Sequence, residues 1–440
     1  MISRQRIAVV GTGISGLTAA WMLSRRHEVH IFEANDYAGG HTHTLPVERH
    51  GRVWPVNTGF IVFNDWTYPN FIRLMQVLGV ESEPSDMSFS VQSERRGLEY
   101  NGTSLNTLFA QRRNLLNPRF INMIREILRF NRITRDELAR DVIQADETLA
   151  AYLRRHRFSN YFRDHYIIPM GAAIWSAPEG ATAQFPVRFF LRFFENHGML
   201  SVDERPQWRV LKRGSASYVK RMLPHFGDKL HLNAPVEAVL RHPKEVEIRT
   251  PLGSHRFDQI VMACHSDQAL ALLKDATPAE TEILGAIPYQ MNDVVLHTDE
   301  CMLPNNRRAW AAWNYYIPQS SSAPVSVTYN MNILQNFDAP ETFCVTLNRS
   351  AGIHPLKIIK RFQYAHPEFT LAGVEAQSRY HDIGNRHRTH FCGAYWHNGF
   401  HEDGVRSALR VVNDFGIEYP ILEVSRNSQE VPYGQAPQLA

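Results

Sequence analysis

Gly11, Gly13 and Gly16 stand in the spacing Gly-x-Gly-x-x-Gly directly after the apolar run Ile7-Ala8-Val9-Val10, and Glu33 follows at a distance. Residues of these types in this order suit a dinucleotide. The glycines let the chain turn sharply, bring bare backbone to a pyrophosphate, and pack a helix close to a strand. A helix predicted from Leu17 to about Arg25, entered through Ile14 and Ser15, points free N–H groups and a positive dipole end at the phosphates. A second predicted strand, Glu28-Val29-His30-Ile31-Phe32, ends at Glu33, whose carboxylate can accept hydrogen bonds from an adenosine ribose. An acid there also repels the 2′-phosphate of NADP. A tight turn alone would account for three glycines. The strand before, the helix after and the acid beyond favour the dinucleotide.

Gly39-Gly40-His41 follows the second strand, and here a family likeness begins. The stretch resembles the FAD-binding signature of the flavin amine oxidase and phytoene desaturase superfamily, in which Gly-Gly-Arg backs the phosphates. His41 stands in place of the arginine. Trp208-Arg209-Val210-Leu211-Lys212-Arg213-Gly214-Ser215 is similar to a turn of the same superfamily, with Arg213 where a glycine is usual. The resemblance implies FAD, with Gly40 and His41 at its phosphates and the Val236 backbone at its adenine. It places Gly393 and the run Glu402-Asp403-Gly404-Val405 near the ribityl chain and flavin ring. Asn57-Thr58-Gly59-Phe60 would bring further donors to the flavin, and Thr42 a hydroxyl to a phosphate. Covalent attachment would need a cysteine or histidine, for which Cys392 and His41 are in position. The segments 57–64, Trp175-Ser176, Asn196-His197-Gly198 and 399–404 resemble a bacterial subgroup of predicted flavin oxidoreductases. Members of that subgroup are associated with cyclopropane and methyl-branched fatty acid enzymes.

A flavin carries hydride or electron transfer itself, and the protein must position the substrate carbon and exclude water. Aromatic walls are the expected means. Tyr395 and Trp396 follow Gly393 and are placed to flank the ring; Trp175 and the run Trp313-Asn314-Tyr315-Tyr316 are further candidates. Plain core packing is the competing reading for each. Of 21 histidines, His197, His397 and His401 lie near predicted cavity turns. One could act as a base near neutral pH, or serve as a hydrogen-bonded structural residue. His41-Thr42-His43 offers two alternating ligands and no third, so no metal site is expected. No lysine is found to match the one that several amine oxidases hold near the flavin.

These residues must be positioned by elements scattered along 440 residues, long enough for two domains. The expected fold class is α/β. A Rossmann-type FAD-binding domain is assembled from the discontinuous segments 1–65, 206–265 and 388–425. An α+β substrate domain, with a mixed sheet plus helices, comes from 66–205 and 266–387. Alternation and apolar runs predict strands at 230–232, 236–240, 246–249, 257–264, 291–297, 325–330 and 388–393. Helical periodicity predicts helices at 70–78, 120–130 and 146–155, and one at 406–415 capped by Asp403. The 120–130 helix turns Phe120, Ile124 and Ile127 to one side and Arg125, Arg129 and Arg132 to the other. Such a face can rest on an anionic bilayer or simply be solvated. Leu115-Leu116 and the phenylalanines at 189–194 suit an oily channel or a core.

Composition sets the outer limits. A net charge of +3 gives no reason to expect nucleic acid, and four scattered cysteines favour reduced thiols over disulfides or zinc. No apolar stretch nears the roughly 18 residues of a spanning helix, and the apolar run at Ile7 is too short for a signal peptide. The expected location is cytoplasmic or peripheral on a membrane's inner face. The leading expectation is an FAD-dependent oxidoreductase acting on an apolar substrate, a modified fatty acyl chain of membrane lipid. An amine oxidase releasing hydrogen peroxide and a non-catalytic flavin-binding partner protein are the alternatives.

Overall fold

A computed structural model describes residues 4–320 and 326–418. The strand Arg6–Val10 sits at the centre of a five-stranded parallel sheet. On one side lie Glu28–Phe32 and then Leu230–His231; on the other lie Gln259–Met262 and then Thr389–Phe391. One sheet thus gathers strands from three distant parts of the chain. Its strands are buried on both faces, which is why Ile7–Val10 and Ile260–Met262 read as unbroken apolar runs. Helices Ile14–Leu23 and His401–Asp414 cover one face. A small antiparallel sheet (Ala238–Arg241, Val246–Thr250, Gly253–Phe257) covers the other.

A seven-stranded mixed sheet forms the second layer system. Its order is Ile358–Pro367, Tyr289–His297, Cys344–Leu347, Ser326–Asn330, Trp313–Ile317, Phe89–Ser93 and Leu98–Asn101. All neighbours are antiparallel except Trp313–Ile317 with Phe89–Ser93. Helices from the region 118–196 pack against it and share its core. The longest, Pro118–Ala139, starts with proline at its first position and with Asn117 Oδ1 accepting from the Arg119 and Phe120 N–H groups.

Several predicted boundaries move. The first helix begins at Ile14, so Ile14 and Ser15 are helical residues. The last begins at His401, ahead of the predicted 406; Asp403 sits in its first turn and accepts from the Phe400 N–H at 3.0 Å. Val236 lies in a loop, and the strand starts at Ala238. The predicted run 257–264 divides into two strands around Asp258. Residue 325 and residues 419–425 lie outside the described residues.

Candidate functional site

The glycine loop closes around contacts a side chain could not share. A Cβ on Gly16 would lie 2.0 Å from the Gly11 carbonyl oxygen, so the helix can approach the strand only without one. Gly40 has φ +56°, and a Cβ there would stand 3.1 Å from Gly13 Cα, which brings the 39–41 turn against the loop. Gly13 differs: nothing lies within 4 Å of where its Cβ would be. That open space at a helix N-terminus belongs to a cavity of about 810 Å³, which also takes in Gly11, Ile14, Ser15, Glu33 and Gly40. Val236, Gly59, Phe60, Gly393 and Tyr395 line it too.

Glu33 holds the loop together. Its Oε2 accepts from the Thr12 N–H at 3.0 Å and from the Thr12 hydroxyl. Its Oε1 accepts from the Asn35 N–H at 2.9 Å and from Asn35 Nδ2 at 2.8 Å. A ribose hydroxyl would take the place of the Asn35 side-chain amide. Three buried polar atoms of lining residues have no partner among the described residues: His41 Nε2, the Trp313 indole N–H and the Tyr395 hydroxyl. Open space at a helix start, a nearby carboxylate and unpartnered polar atoms fit a long, anionic, partly aromatic group.

Other expected site residues are turned elsewhere. The Thr42 hydroxyl bonds Tyr218 Oη at 2.6 Å and His401 Nε2 at 2.8 Å inside the protein, so it is not open to a phosphate. Thr58 Oγ1 bonds the Tyr364 hydroxyl at 2.9 Å and the His43 carbonyl. Glu402 caps the helix Pro69–Leu78, accepting from the Phe71 N–H at 2.9 Å and from Asn70 Nδ2 at 2.6 Å. Gly404 packs on Ile14 and Ser15, Val405 is core, and Asp403 is buried with its carboxyl raised to about 7 by loss of water. Gly16 and these residues support the wall without forming it. Cys392 is buried in the core, its thiol raised by burial.

The aromatic candidates divide as well. Trp175 lines the cavity, its indole N–H donating to the Asn398 carbonyl at 3.3 Å and its ring packed on Phe193 at 4.7 Å. Trp313 lines it too. Tyr315 donates to Glu179, and Tyr316 to Glu94 at the surface. Trp396 is core, edge-on to Tyr380 at 4.9 Å. His197 is a structural residue: Nδ1 bonds the Phe193 carbonyl, Nε2 the Thr67 hydroxyl, and burial holds the ring down at about 4. It is neutral and lies off the cavity. His397 is joined to Arg410 at 3.0 Å. The phenylalanine cluster divides between core (Phe190, Phe194) and cavity (Phe193). Leu115 and Leu116 are 53% and 89% exposed, so they form neither channel nor core. Among the described residues no group of three metal-ligating side chains is found.

Sequence reasoning missed His265, His366 and Phe369, all on the cavity wall. They come from two loops and a strand brought together only by the meeting of the two sheets, and no spacing signals that.

The fold and the cavity define a dinucleotide-binding protein. Residues 14–414 match the model of the flavin containing amine oxidoreductases, and the chain belongs to that family. Its cofactor is FAD. A curated relative, an L-amino-acid oxidase of Pseudechis australis, is 22% identical over 333 residues, covering 67% of this chain; the match spans 57% of that relative's length. Among solved structures, a wild-type putrescine oxidase bound to putrescine superimposes with a TM-score of 0.67 at 15% identity, covering 94% of this chain and 99% of its own. A CLA-producing fatty acid isomerase from P. acnes superimposes with 0.67 at 16% identity, covering 93% and 98%. Cyclohexylamine oxidase from Brevibacterium oxydans gives 0.66 at 16%, covering 94% and 98%.

Proposed function

We infer that the protein is an FAD-dependent oxidoreductase that oxidises or desaturates a modified fatty acyl chain, methyl-branched or cyclopropane-bearing, of a membrane lipid. The carrying observation is the cavity wall away from the glycine loop. Met87, Ile174, Phe193, Met199, Trp313 and Phe369 line it beside a few neutral polar groups such as Ser176 and Gln363, and Glu33 is the one carboxylate among the described lining residues. Methylene chains gain about 25 cal/mol per Å² from such a surface. An amino acid would bring a carboxylate with no lysine or arginine to meet it, and a protonated amine would find no acid on that side. A free fatty acid meets the same difficulty at its head, so an esterified chain with its head group outside fits best. The similarity to the P. acnes isomerase supports an acyl substrate. The similarities to putrescine and cyclohexylamine oxidases support the second reading, oxidation of an amine with release of hydrogen peroxide.

Bound flavin would supply the two-electron acceptor. The chain's own residues hold the substrate and exclude water. Trp175, pinned by the Asn398 carbonyl and by Phe193, fixes one wall. Tyr395 keeps its proton, because burial raises its hydroxyl well above the ordinary value; it can donate a hydrogen bond and cannot act as a base near neutrality.

A membrane-bound chain needs a docking surface. Arg125, Leu128, Arg132 and Arg135 share one exposed face of the helix Pro118–Ala139, which follows the exposed pair Leu115 and Leu116. Arg129, expected on that face, instead donates to the His156 carbonyl and lies over Phe158 at 4.2 Å. Exposed arginines beside exposed leucines suit an anionic bilayer, and a peripheral cytoplasmic location is part of this reading. No described helix is long and apolar enough to cross a membrane.

The test is anaerobic reduction of the purified flavoprotein. Bleaching of the flavin band by extracted phospholipid, and not by polyamines or amino acids, is expected. Bleaching by amines alone would overturn the acyl reading. Arg125→Gln with Arg132→Gln should weaken binding to anionic vesicles by roughly tenfold or more, since each such arginine contributes about 1 kcal/mol near an anionic surface; unchanged binding removes the docking face.

A further inference from the structure

The cavity is short of positive charge. Its described lining residues include no lysine and no arginine. The diphosphate of a dinucleotide would bring two negative charges into that space. The start of the helix Ile14–Leu23 offers the equivalent of about half a positive charge, and ions removed from water without a partner are costly. The lining groups able to become cations are His41, His265, His366 and His401.

Their hydrogen bonds set them apart. The Asp293 N–H donates to Asn348 Oδ1 at 3.0 Å, and Asn348 Nδ2 donates to Asn292 Oδ1 at 2.7 Å. Asn292 Nδ2 then faces His366 Nδ1 at 3.1 Å. The backbone N–H at the head of this relay fixes the direction of every link. His366 Nδ1 is therefore an acceptor, and its proton sits on Nε2. His401 Nε2 is committed to Thr42, with its ring stacked on Phe60 at 3.5 Å. His265 stacks on Tyr289 at 4.5 Å. His41 is different. Its Nε2 is buried without a partner, and the neighbouring Ala365 backbone favours the protonated ring. It follows directly on Gly40, whose backbone lies against Gly13 of the glycine loop.

We propose that His41 takes up a proton at Nε2 as the FAD diphosphate binds and serves as its counter-charge, with His366 Nε2–H as a neutral second donor. The proposal rests on FAD being the cofactor. In the free protein, burial and the neighbouring His265 hold His41 down at about 4, so the ring is neutral at pH 7 and the proton comes from solvent. The groups facing His41 are Tyr364 at 5.1 Å, His366 at 5.4 Å and His265 at 5.9 Å. His401 interacts with it from the last helix. Glu33, Tyr37, Tyr289 and Cys264 line the same cavity, and Lys360 and Asp36 act on the nearby His43. The diphosphate favours the charged ring, so the His41 value is higher in the complex than in the free protein. Affinity is then fully expressed below the free value and falls as pH rises toward the complex value, by up to about tenfold per pH unit for one proton.

The test is calorimetric titration of the apoprotein with FAD near pH 6, in buffers of different ionisation enthalpy. About one proton taken up per FAD is expected, with binding weakened up to tenfold on going to pH 7. His41→Arg, which carries its charge permanently, should bind with no uptake and a flat pH profile. His41→Gln should bind more weakly at the lower pH, also without uptake; melting of both apoproteins checks that they fold. FAD binding by the unaltered protein with no uptake and no pH dependence would overturn the proposal, as would uptake that persists in His41→Gln. Failure to bind FAD at any pH would overturn the cofactor assignment together with the proposal, a result distinct from binding without uptake.

Discussion

The two ends of the cavity are built from different materials. At the glycine end the wall is largely backbone: Gly11, Gly13, Gly40 and Gly59 expose peptide groups, and Glu33 is held by Thr12 and Asn35 close by in the chain. At the far end the wall is side chain: Ile174 and Phe193 come from the helices Ile168–Trp175 and Val187–Asn196, Trp313 from the seven-stranded sheet, and Met87 and Phe369 from loops. Backbone geometry tolerates almost no substitution, whereas an apolar wall accepts many shapes of similar volume. One end is therefore fitted to a fixed cofactor, and the other is free to follow a substrate.

Paired glycine variants press hardest on this contrast. Gly16→Ala drives a Cβ to 2.0 Å from the Gly11 carbonyl oxygen and should destabilise the fold by about 3 kcal/mol or more, with loss of bound FAD. Gly13→Ala meets nothing within 4 Å in the protein, so the apoprotein should melt as the parent does while FAD binding is lost. Melting with and without FAD separates the two. If Gly13→Ala retained flavin, the open space at the loop would not be the cofactor's.

The far end is tested by charge. Met87→Glu puts a carboxylate on the apolar wall. Flavin content should be unchanged, and reduction by lipid should slow by roughly 10- to 100-fold, the scale on which a mismatched pocket contact discriminates. Equal loss of flavin and of lipid reduction would show that the two ends are not separable.

How far the sequence could be read follows the same division. Gly11, Gly13, Gly16 and Glu33 were legible because every contact that matters lies within one strand–turn–helix–strand unit, where spacing dictates geometry. Thr42 and Glu402 were misread for a physical reason. A hydroxyl or carboxylate near a cofactor loop has alternative partners, and only the tertiary fold shows that Tyr218 with His401, and the start of the helix Pro69–Leu78, claimed them first. His265, His366 and Phe369 were invisible because their shared position exists only where the two sheets meet. Thr42→Val tests this lesson: it should cost roughly 1–3 kcal/mol through the unpaired Tyr218 and His401 groups, yet leave FAD affinity nearly unchanged. A large loss of affinity at constant stability would return Thr42 to the cofactor.

The smallest expected effect lies at Arg213 and Gly214, adjacent residues that are both left-handed, with φ +65° and +85°. A Cβ on Gly214 would lie 2.4 Å from Thr44 Cγ2, so that position must be glycine for reasons of space as well as conformation. Arg213 already carries its Cβ, is exposed, and bears only the conformational penalty of an L-residue in this region, about 1 kcal/mol. Arg213→Gly removes that penalty but gives the unfolded chain more freedom, which returns roughly 0.4–1 kcal/mol. The net change should be a gain of a few tenths of a kcal/mol at most, read as a small rise in apoprotein melting temperature with FAD affinity constant. A clear loss of stability would show that the Arg213 side chain holds the turn through its own contacts, and that this turn, like the far wall of the cavity, depends on side chains rather than on backbone.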